Sequence, residues 1–270
     1  MFTFIILTGC RSTSQPQTGG NLVYSNYAQC FSIDDYNPLQ VSQTNENYEK
    51  STGSAFYIGI IHGKHVFITN AHLVFESVPN HYFSYTNLID KNGTSIRAHV
   101  VNVREERLFW STPEGDKYFA ERIADIAILE VDKLPEGFAV TQLNLSNSTT
   151  DGFAFSQGIN YMRQYWEGCF GLIHQNNQPY LYSEHSTAAE SFSGTPVLNK
   201  QGHVIGIITS SGNLLKGYNN RKIQLYITAD EDKPVIISTV KHENSKMMFA
   251  MLTSTSEIQK LLKETYGDAF

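Results

Sequence analysis

The sequence predicts an all-β protein that folds as one domain and ends in a helix. Its 270 residues are 41% apolar and 17% charged, which is ordinary for a globular chain and argues against disorder. The 16 phenylalanines and 15 tyrosines, together with short runs of β-branched residues, favour strands. No internal repeat and no change of composition divides the chain, so we expect a single domain.

The first predicted elements form a hairpin. Residues 51–61 and 66–69 have the composition of two strands, and residues 62–65 form a turn that contains glycine. Residues 105–121 carry charges of both signs and predict an exposed loop. The other predicted strands, some of them paired in hairpins, lie at residues 94–103, 123–131, 158–174, 179–183, 204–209, 222–227 and 247–252.

A helix is predicted after the last strand, over residues 256–264. Thr255 or Ser256 is its predicted N-cap, because a hydroxyl can accept a hydrogen bond from a free N–H of the first turn. The apolar side chains that fall together on one face of this helix are Ile258, Leu261 and Leu262.

The N-terminus resembles that of a bacterial lipoprotein. Residues 1–10 begin with an apolar run and end in Leu-Thr-Gly-Cys, similar to the lipobox in which the cysteine, here Cys10, receives lipid. No Lys or Arg precedes the apolar run, so we interpret this segment as a truncated signal. Residues 11–29 then form a flexible tether and residues 30–270 the folded domain. This resemblance implies membrane attachment through Cys10 and a location in the bacterial cell envelope, periplasmic or otherwise extracytoplasmic.

The net charge and the cysteines of the chain indicate which binding partners, cofactors and metals to expect. The net charge is −6 and the chain has no basic cluster, so we expect no nucleic-acid partner. In an oxidising envelope Cys30 and Cys169 can form a disulfide, and two separate buried thiols remain an equal alternative. No Cys-x-x-Cys pattern indicates zinc or redox chemistry, so no metal and no cofactor is expected. The sequence does not encode the oligomeric state.

Three polar residues stand at places where a side chain is both held and accessible. His72 follows small residues at the end of a predicted strand, and Asp125 stands at the mouth of an apolar strand. Ser193 lies in a Ser-Gly-x-Pro turn, which exposes its hydroxyl and its backbone N–H. A buried carboxylate needs a partner, and for Asp125 either a backbone amide or an imidazole N–H meets that need.

The segments around these residues resemble three motifs of the chymotrypsin-fold serine proteases, with HtrA/V8-like bacterial peptidases as the most similar group. Residues 69–74 read Thr-Asn-Ala-His-Leu-Val, residues 124–129 read Ala-Asp-Ile-Ala-Ile-Leu, and residues 193–197 read Ser-Gly-Thr-Pro-Val. The resemblance covers roughly residues 51–265. It implies two six-stranded antiparallel β-barrels of the chymotrypsin/trypsin type with a C-terminal helix, and residues 30–270 as the protease domain.

The resemblance also implies roles for individual residues. His72 is the general base, Asp125 orients it, and Ser193 is the nucleophile. The backbone N–H groups of Ser191 and Ser193 form the oxyanion hole. The supporting residues are Thr209, beside the aspartate, and Gly194, in the nucleophile turn; the specificity-pocket residues are Thr187 and Ser211. The substrate is a protein or peptide, and with no acid at Thr187 a preference for Lys or Arg is not expected.

Two departures from the family bear on activity. Ser191 stands where the family has glycine, which restricts the peptide flip that aims one oxyanion donor. Phe192 replaces the aspartate that pairs with a newly cut N-terminus in digestive members, so no activating cleavage is expected. The leading hypothesis is a serine endopeptidase. The alternatives are a catalytically impaired pseudoprotease that serves as a binding module in the envelope, and an esterase with the same triad.

Overall fold

The computed structural model describes eleven stretches of the chain. They are residues 36–44, 50–75, 81–111, 118–146, 152–159, 165–175, 178–183, 193–212, 222–227, 235–241 and 248–270.

Six antiparallel strands close into a β-barrel in the order β1-β2-β3-β6-β5-β4. Closure follows from β1, which pairs with β2 on one side and with β4 on the other. The strands are β1 (Leu39–Thr44), β2 (Lys50–Ile61), β3 (Lys64–Thr69), β4 (Tyr85–Ile89), β5 (Ser95–Ser111) and β6 (Tyr118–Val131).

The barrel interior follows the two-residue period of its strands. In β4 the buried Thr86 and Leu88 alternate with the exposed Tyr85 and Asn87. In contrast, every residue from Ala124 to Leu129 of β6 is buried. The side chains that fill the interior include Leu39, Val41, Ala55, Tyr57, Phe67, Leu88, Ala98, Ala127 and Leu129.

The second face of β6 packs against the C-terminal half of the chain. Ile126 and Ile128 belong to a second apolar cluster that joins the barrel to the strands and helix that follow. This double burial explains why residues 124–129 of β6 are a continuous apolar run around one aspartate. The other members of the cluster include Phe56, Ile68, Leu143, Leu198, Val204, Ile207, Ile258, Leu261 and Leu262.

A second group of six strands pairs in the order β10-β11-β14-β9-β8-β7, and β10 also pairs with β7. Its members are β7 (Gly152–Ile159), β8 (Tyr165–Gln175), β9 (Gln178–Ser183), β10 (Pro196–Leu198), β11 (Val204–Gly212) and β14 (Met248–Ser254). The remaining strands, β12 (Lys222–Ile227) and β13 (Val235–Lys241), pair antiparallel with each other.

The C-terminal helix α1 spans Thr255–Tyr266, and its three predicted apolar residues are buried. The predicted cap is wrong: Ser254 occupies the N-cap position and its side chain makes no capping hydrogen bond. Thr255 is already helical, and its hydroxyl donates instead to Ile205 O at 3.2 Å. Among the described residues, no helix is both long enough and apolar enough to cross a membrane.

The exposed loop predicted over residues 105–121 is also wrong in part. β5 continues to Ser111 and β6 begins at Tyr118, so most of this segment forms a two-stranded ribbon. Charged residues are compatible with a ribbon because an antiparallel pair can expose a face to water. The first hairpin is confirmed: β2 and β3 pair antiparallel, from Phe56 opposite Ile68 to Ile61 opposite Lys64.

Candidate active site

His72 is held at the end of β3. After Thr69 the chain turns through Asn70 into a 3₁₀ turn, Ala71–Val74, whose residues other than His72 are buried. The buried neighbours anchor the turn, while the His72 side chain keeps 19% of its surface exposed. The imidazole is therefore fixed by its backbone and still open to another molecule.

Asp125 is fully buried and contacts His72 twice. Its Oδ1 accepts the backbone N–H of His72 at 2.9 Å, and its Oδ2 lies 2.5 Å from the ring Nδ1. A carboxylate only accepts hydrogen bonds, so we assign the ring hydrogen to Nδ1. The Nε2 of His72 then carries the lone pair and can accept a proton.

Side chains also hold the backbone of Asp125. Asn70 Nδ2 donates to Asp125 O at 2.7 Å, and Asp125 N donates to Thr253 Oγ1 at 3.1 Å. No role was expected for Asn70 or Thr253 from the sequence. For Asn70 a signal existed, because it lies in the segment of residues 69–74 that resembles a family motif. For Thr253 the contact spans 128 positions, and no local pattern indicates it.

The turn that carries Ser193 is fixed by main-chain hydrogen bonds. Ser54 N, on β2, donates to Ser193 O at 2.8 Å, and Gly194 N donates to Ile208 O at 2.8 Å. Gly194 has φ +81°, a conformation that favours glycine. Ser193 itself is half-buried.

Gly53 brings the Ser193 turn and the His72 turn together. A Cβ atom at Gly53 would lie 2.7 Å from Ser193 O and closer still to Cδ1 of Leu73, the residue after His72. Only a residue without a side chain leaves room for both neighbours. Within the described residues, His72 and Asp125 are hydrogen-bonded to each other, whereas no hydrogen bond joins the Ser193 side chain to the His72 ring.

Thr209, expected beside the aspartate, makes no hydrogen bond to Asp125 among the described contacts, because Thr253 lies between them. Its Oγ1 is 2.9 Å from Thr253 Oγ1 and accepts Thr253 N at 3.0 Å, and Thr253 in turn accepts Asp125 N. The side chain of Ser211, on β11, is outside the described part of the structure. The other predicted residues that fall outside it are Cys10, Cys30, Thr187, Ser191, Phe192 and the side chain of Cys169.

No group of three or more His, Cys, Asp or Glu side chains that could hold a metal ion occurs among the residues that the structure describes. The polar side chain that contacts His72 is the Asp125 carboxylate, and the Asn70 carboxamide and the Thr253 hydroxyl contact the backbone of Asp125. A carboxylate in this position orients an imidazole for proton transfer.

Comparison with known proteins gives one family and a distant structural likeness. A family model described as trypsin-like peptidase domain matches residues 53–207. No curated protein matches the sequence. A crystal structure of the serine endoprotease from Yersinia pestis aligns with a TM-score of 0.49 and 16% identity, over 86% of this chain and 63% of that chain. The chain thus spans less than two thirds of that endoprotease.

Proposed function

The chain belongs to the trypsin-like peptidase family, whose model covers more than half of its length, and we propose that it is a serine endopeptidase. Its triad consists of His72 as general base, Asp125 as the group that orients it, and Ser193 as nucleophile. The second group of strands, β7 to β11 with β14, is the second barrel of the two-barrel fold, and substrate binds between the barrels.

The observation that carries the proposal is the double contact between Asp125 and His72. A fully buried carboxylate that accepts both the backbone N–H and the ring N–H of one histidine fixes that ring in position and tautomer. The main chain of Ser193 is bonded to β2 beside the same turn. The contact between hydroxyl and imidazole forms when substrate binds, because catalytic hydrogen bonds in empty sites are often long.

The chemistry proceeds in two acyl-transfer steps. Ser193 Oγ bonds to the carbonyl carbon of the substrate while its proton passes to His72 Nε2. The tetrahedral intermediate collapses when that proton goes to the leaving amine, and the acyl-enzyme ester remains. Water then bonds to the ester carbon, its proton passes to His72, and the return of the proton to Ser193 Oγ releases the acid.

The negative charge that forms on the carbonyl oxygen in the tetrahedral intermediate needs hydrogen-bond donors. The N–H groups of Ser193 and Ser191 supply them, and loss of one such donor costs about 100- to 1,000-fold in turnover. Because Ser191 replaces glycine, a binding module with an impaired oxyanion hole is the second candidate function. The pocket residues Thr187 and Ser211 bring no acid, so the preferred substrate residue before the cleaved bond is not Lys or Arg.

A fluorophosphonate probe tests the proposal, since it bonds covalently only to an activated serine. We expect the wild type to be labelled and Ser193→Ala to remain unlabelled. Ser84→Ala, a change at an exposed serine of the described barrel, is the matched control and keeps full labelling. A folded wild type that shows no labelling above background would favour the binding module.

Labelling alone does not separate an endopeptidase from an esterase. Cleavage of casein and hydrolysis of small esters by the same preparation make that distinction. An endopeptidase cleaves both substrates and loses both activities in Ser193→Ala. Ester hydrolysis with no casein cleavage would identify an esterase.

The proposal includes the location of the protein. Residues 1–10 are the signal-like segment, residues 11–29 the tether and residues 30–270 the peptidase domain. Lipid on Cys10 anchors the protein in the bacterial cell envelope, which the lipobox-like sequence supports. Cys10→Ala should release the protein from the membrane fraction and abolish incorporation of labelled fatty acid. Unchanged membrane association in this variant would contradict the anchor.

A further inference from the structure

The strand that carries Asp125 has β5 as its neighbour on one side along this stretch, but on the other side it loses β3 close to the aspartate. β3 pairs with β6 as far as Thr69, opposite Ala127, and then leaves the sheet. Beyond that point side chains, and not β3, form hydrogen bonds with the backbone of β6 on this side. Asn70 donates to Asp125 O, and the Thr253 hydroxyl accepts Asp125 N.

Thr253 comes from the other half of the molecule. It lies on β14 opposite Ile207 of β11, the strand next to the Ser193 turn. Gly194 N and Ile208 O join that turn to β11 at 2.8 Å. A short path therefore runs from Asp125 through Thr253 and β11 to the nucleophile turn.

The hydroxyls on this path are enclosed. Thr253 and Asp125 have no exposed surface, and Thr209 has 1%. The Oγ atoms of Thr209 and Thr253 are 2.9 Å apart, and Thr209 also accepts Thr253 N. Water cannot replace the Thr253 hydroxyl without repacking, so loss of that hydroxyl removes an acceptor of the Asp125 N–H, while Asn70 and His72 still contact the aspartate.

We infer that Thr253 is a positioning residue: its hydroxyl holds the Asp125 strand against the strands that carry Ser193. It thereby sets the distance between the His72–Asp125 pair and the nucleophile. The inference rests on the proposed peptidase function. A shift of about 1 Å between reacting groups can cost about 100-fold in rate, so a residue remote from the substrate can limit turnover.

Three variants separate positioning from general stability. Thr253→Val removes the hydroxyl at nearly constant volume, and Thr253→Ser keeps it. Thr255→Val is the matched control, because Thr255 is another buried threonine whose hydroxyl is bonded to the backbone, in this case to Ile205 O. Among the described hydrogen bonds, Thr255 makes none to Asp125.

We expect Thr253→Val to lower kcat by about 10- to 100-fold with KM within about twofold, because substrate still binds but is attacked from a displaced group. Thr253→Ser should recover kcat to within about threefold of wild type. Thr255→Val should lose thermal stability and keep its kcat. If valine at 253 prevents folding, Thr253→Cys, with a weak acceptor, takes its place. Equal kcat losses at 253 and 255, or none at 253, would overturn the inference.

Amide hydrogen exchange gives a readout that needs no activity. The Asp125 N–H should exchange faster in Thr253→Val than in wild type, and at the wild-type rate in Thr255→Val. Unchanged exchange in Thr253→Val would overturn the inference by itself. If the wild type is inactive but the Asp125 N–H still exchanges faster in Thr253→Val, the proposed function is wrong and the positioning role of Thr253 stands.

Discussion

Ser54 donates its backbone N–H to the carbonyl oxygen of Ser193 at 2.8 Å. The carbonyl oxygen of Ser54 accepts a hydrogen bond from the Thr69 hydroxyl at 2.7 Å. Thr69 lies three residues before His72. One residue of β2 thus contacts both the turn with the proposed nucleophile and the strand that leads to the proposed base. The closed barrel positions the two groups through one main-chain hydrogen bond and one hydrogen bond from the buried Thr69 hydroxyl, which side-chain changes on its surface leave intact.

Gly194→Ala should destabilise the fold strongly. A Cβ there would lie 2.8 Å from Thr69 Oγ1 and closer to Ser54 O, which is backbone and cannot move aside. We expect a loss of about 2–4 kcal/mol in the free energy of unfolding, from the left-handed φ together with the steric overlap. Urea unfolding measures it.

Gly137→Ala is the control for that measurement. Gly137 has φ +78°, close to the +81° of Gly194, and nothing lies within 4 Å of its Cβ position. It therefore carries only the conformational cost of about 1–2 kcal/mol. Equal losses in the two variants would show that the approach of Ser54 to the nucleophile turn is not tight.

Asp125→Asn should lower kcat on the order of 10⁴-fold. The amide would donate to His72 Nδ1, so the ring hydrogen would move to Nε2 and the base could no longer accept the serine proton. Rates on a small ester measure the effect. Asp90→Asn alters another fully buried carboxylate and should leave kcat unchanged. A kcat for Asp125→Asn near that of Asp90→Asn would contradict the role of Asp125.

The sequence singled out the three residues of the proposed triad because each lies in a short motif attached to an apolar strand. His72 follows β3, Asp125 lies within β6, and Ser193 precedes β10. What no motif carries is the contact itself, since Asp125 and His72 are 53 positions apart. The Thr253 contact was missed for the same reason: a threonine in a strand looks the same whether its hydroxyl is used or not.

The fold was predicted best where a strand is buried on both faces and worst where strands are polar. β3 reads as an apolar strand because Val66, Phe67 and Ile68 are all buried. β1 was not predicted, since Gln40 and Ser42 interrupt its apolar residues, yet Gln40 is 5% exposed. Strand pairing by backbone hydrogen bonds tolerates such residues, so composition alone does not reveal them.

Asp90→Asn should lower the free energy of unfolding by about 1–3 kcal/mol. The two carboxylate oxygens of Asp90 accept Thr94 N at 2.8 Å and Ala139 N at 3.0 Å. An amide has one acceptor oxygen, so one of these two half-buried backbone N–H groups loses its acceptor. Asp132→Asn, at an 84% exposed side chain, is the control and should scarcely change the urea midpoint. Similar urea midpoints for both variants would show that the hydrogen bonds of Asp90 to Thr94 and Ala139 do not stabilise the fold.

The contact between Tyr266 and Glu130 should make the fold weaken at alkaline pH. Tyr266 Oη donates to Glu130 Oε1 at 2.7 Å, and burial, followed by this hydrogen bond and the carboxylate charge, raises the pKa of Tyr266. Burial also raises the pKa of Tyr57. The folded protein keeps protons that the unfolded chain releases near pH 10, so stability falls as pH rises through about 10 and above.

Tyr266→Phe should reduce that alkaline loss, because the variant has no phenol at this position to hold a proton in the folded state. Urea midpoints measured from about pH 8 to about pH 11 for wild type and variant give the two slopes. Below about pH 9 the variant should be the less stable of the two, since Glu130 loses its donor. Tyr85→Phe, at an exposed tyrosine, is the control and should keep the wild-type slope. Parallel slopes for Tyr266→Phe and wild type would show that the phenol is not held protonated by the fold.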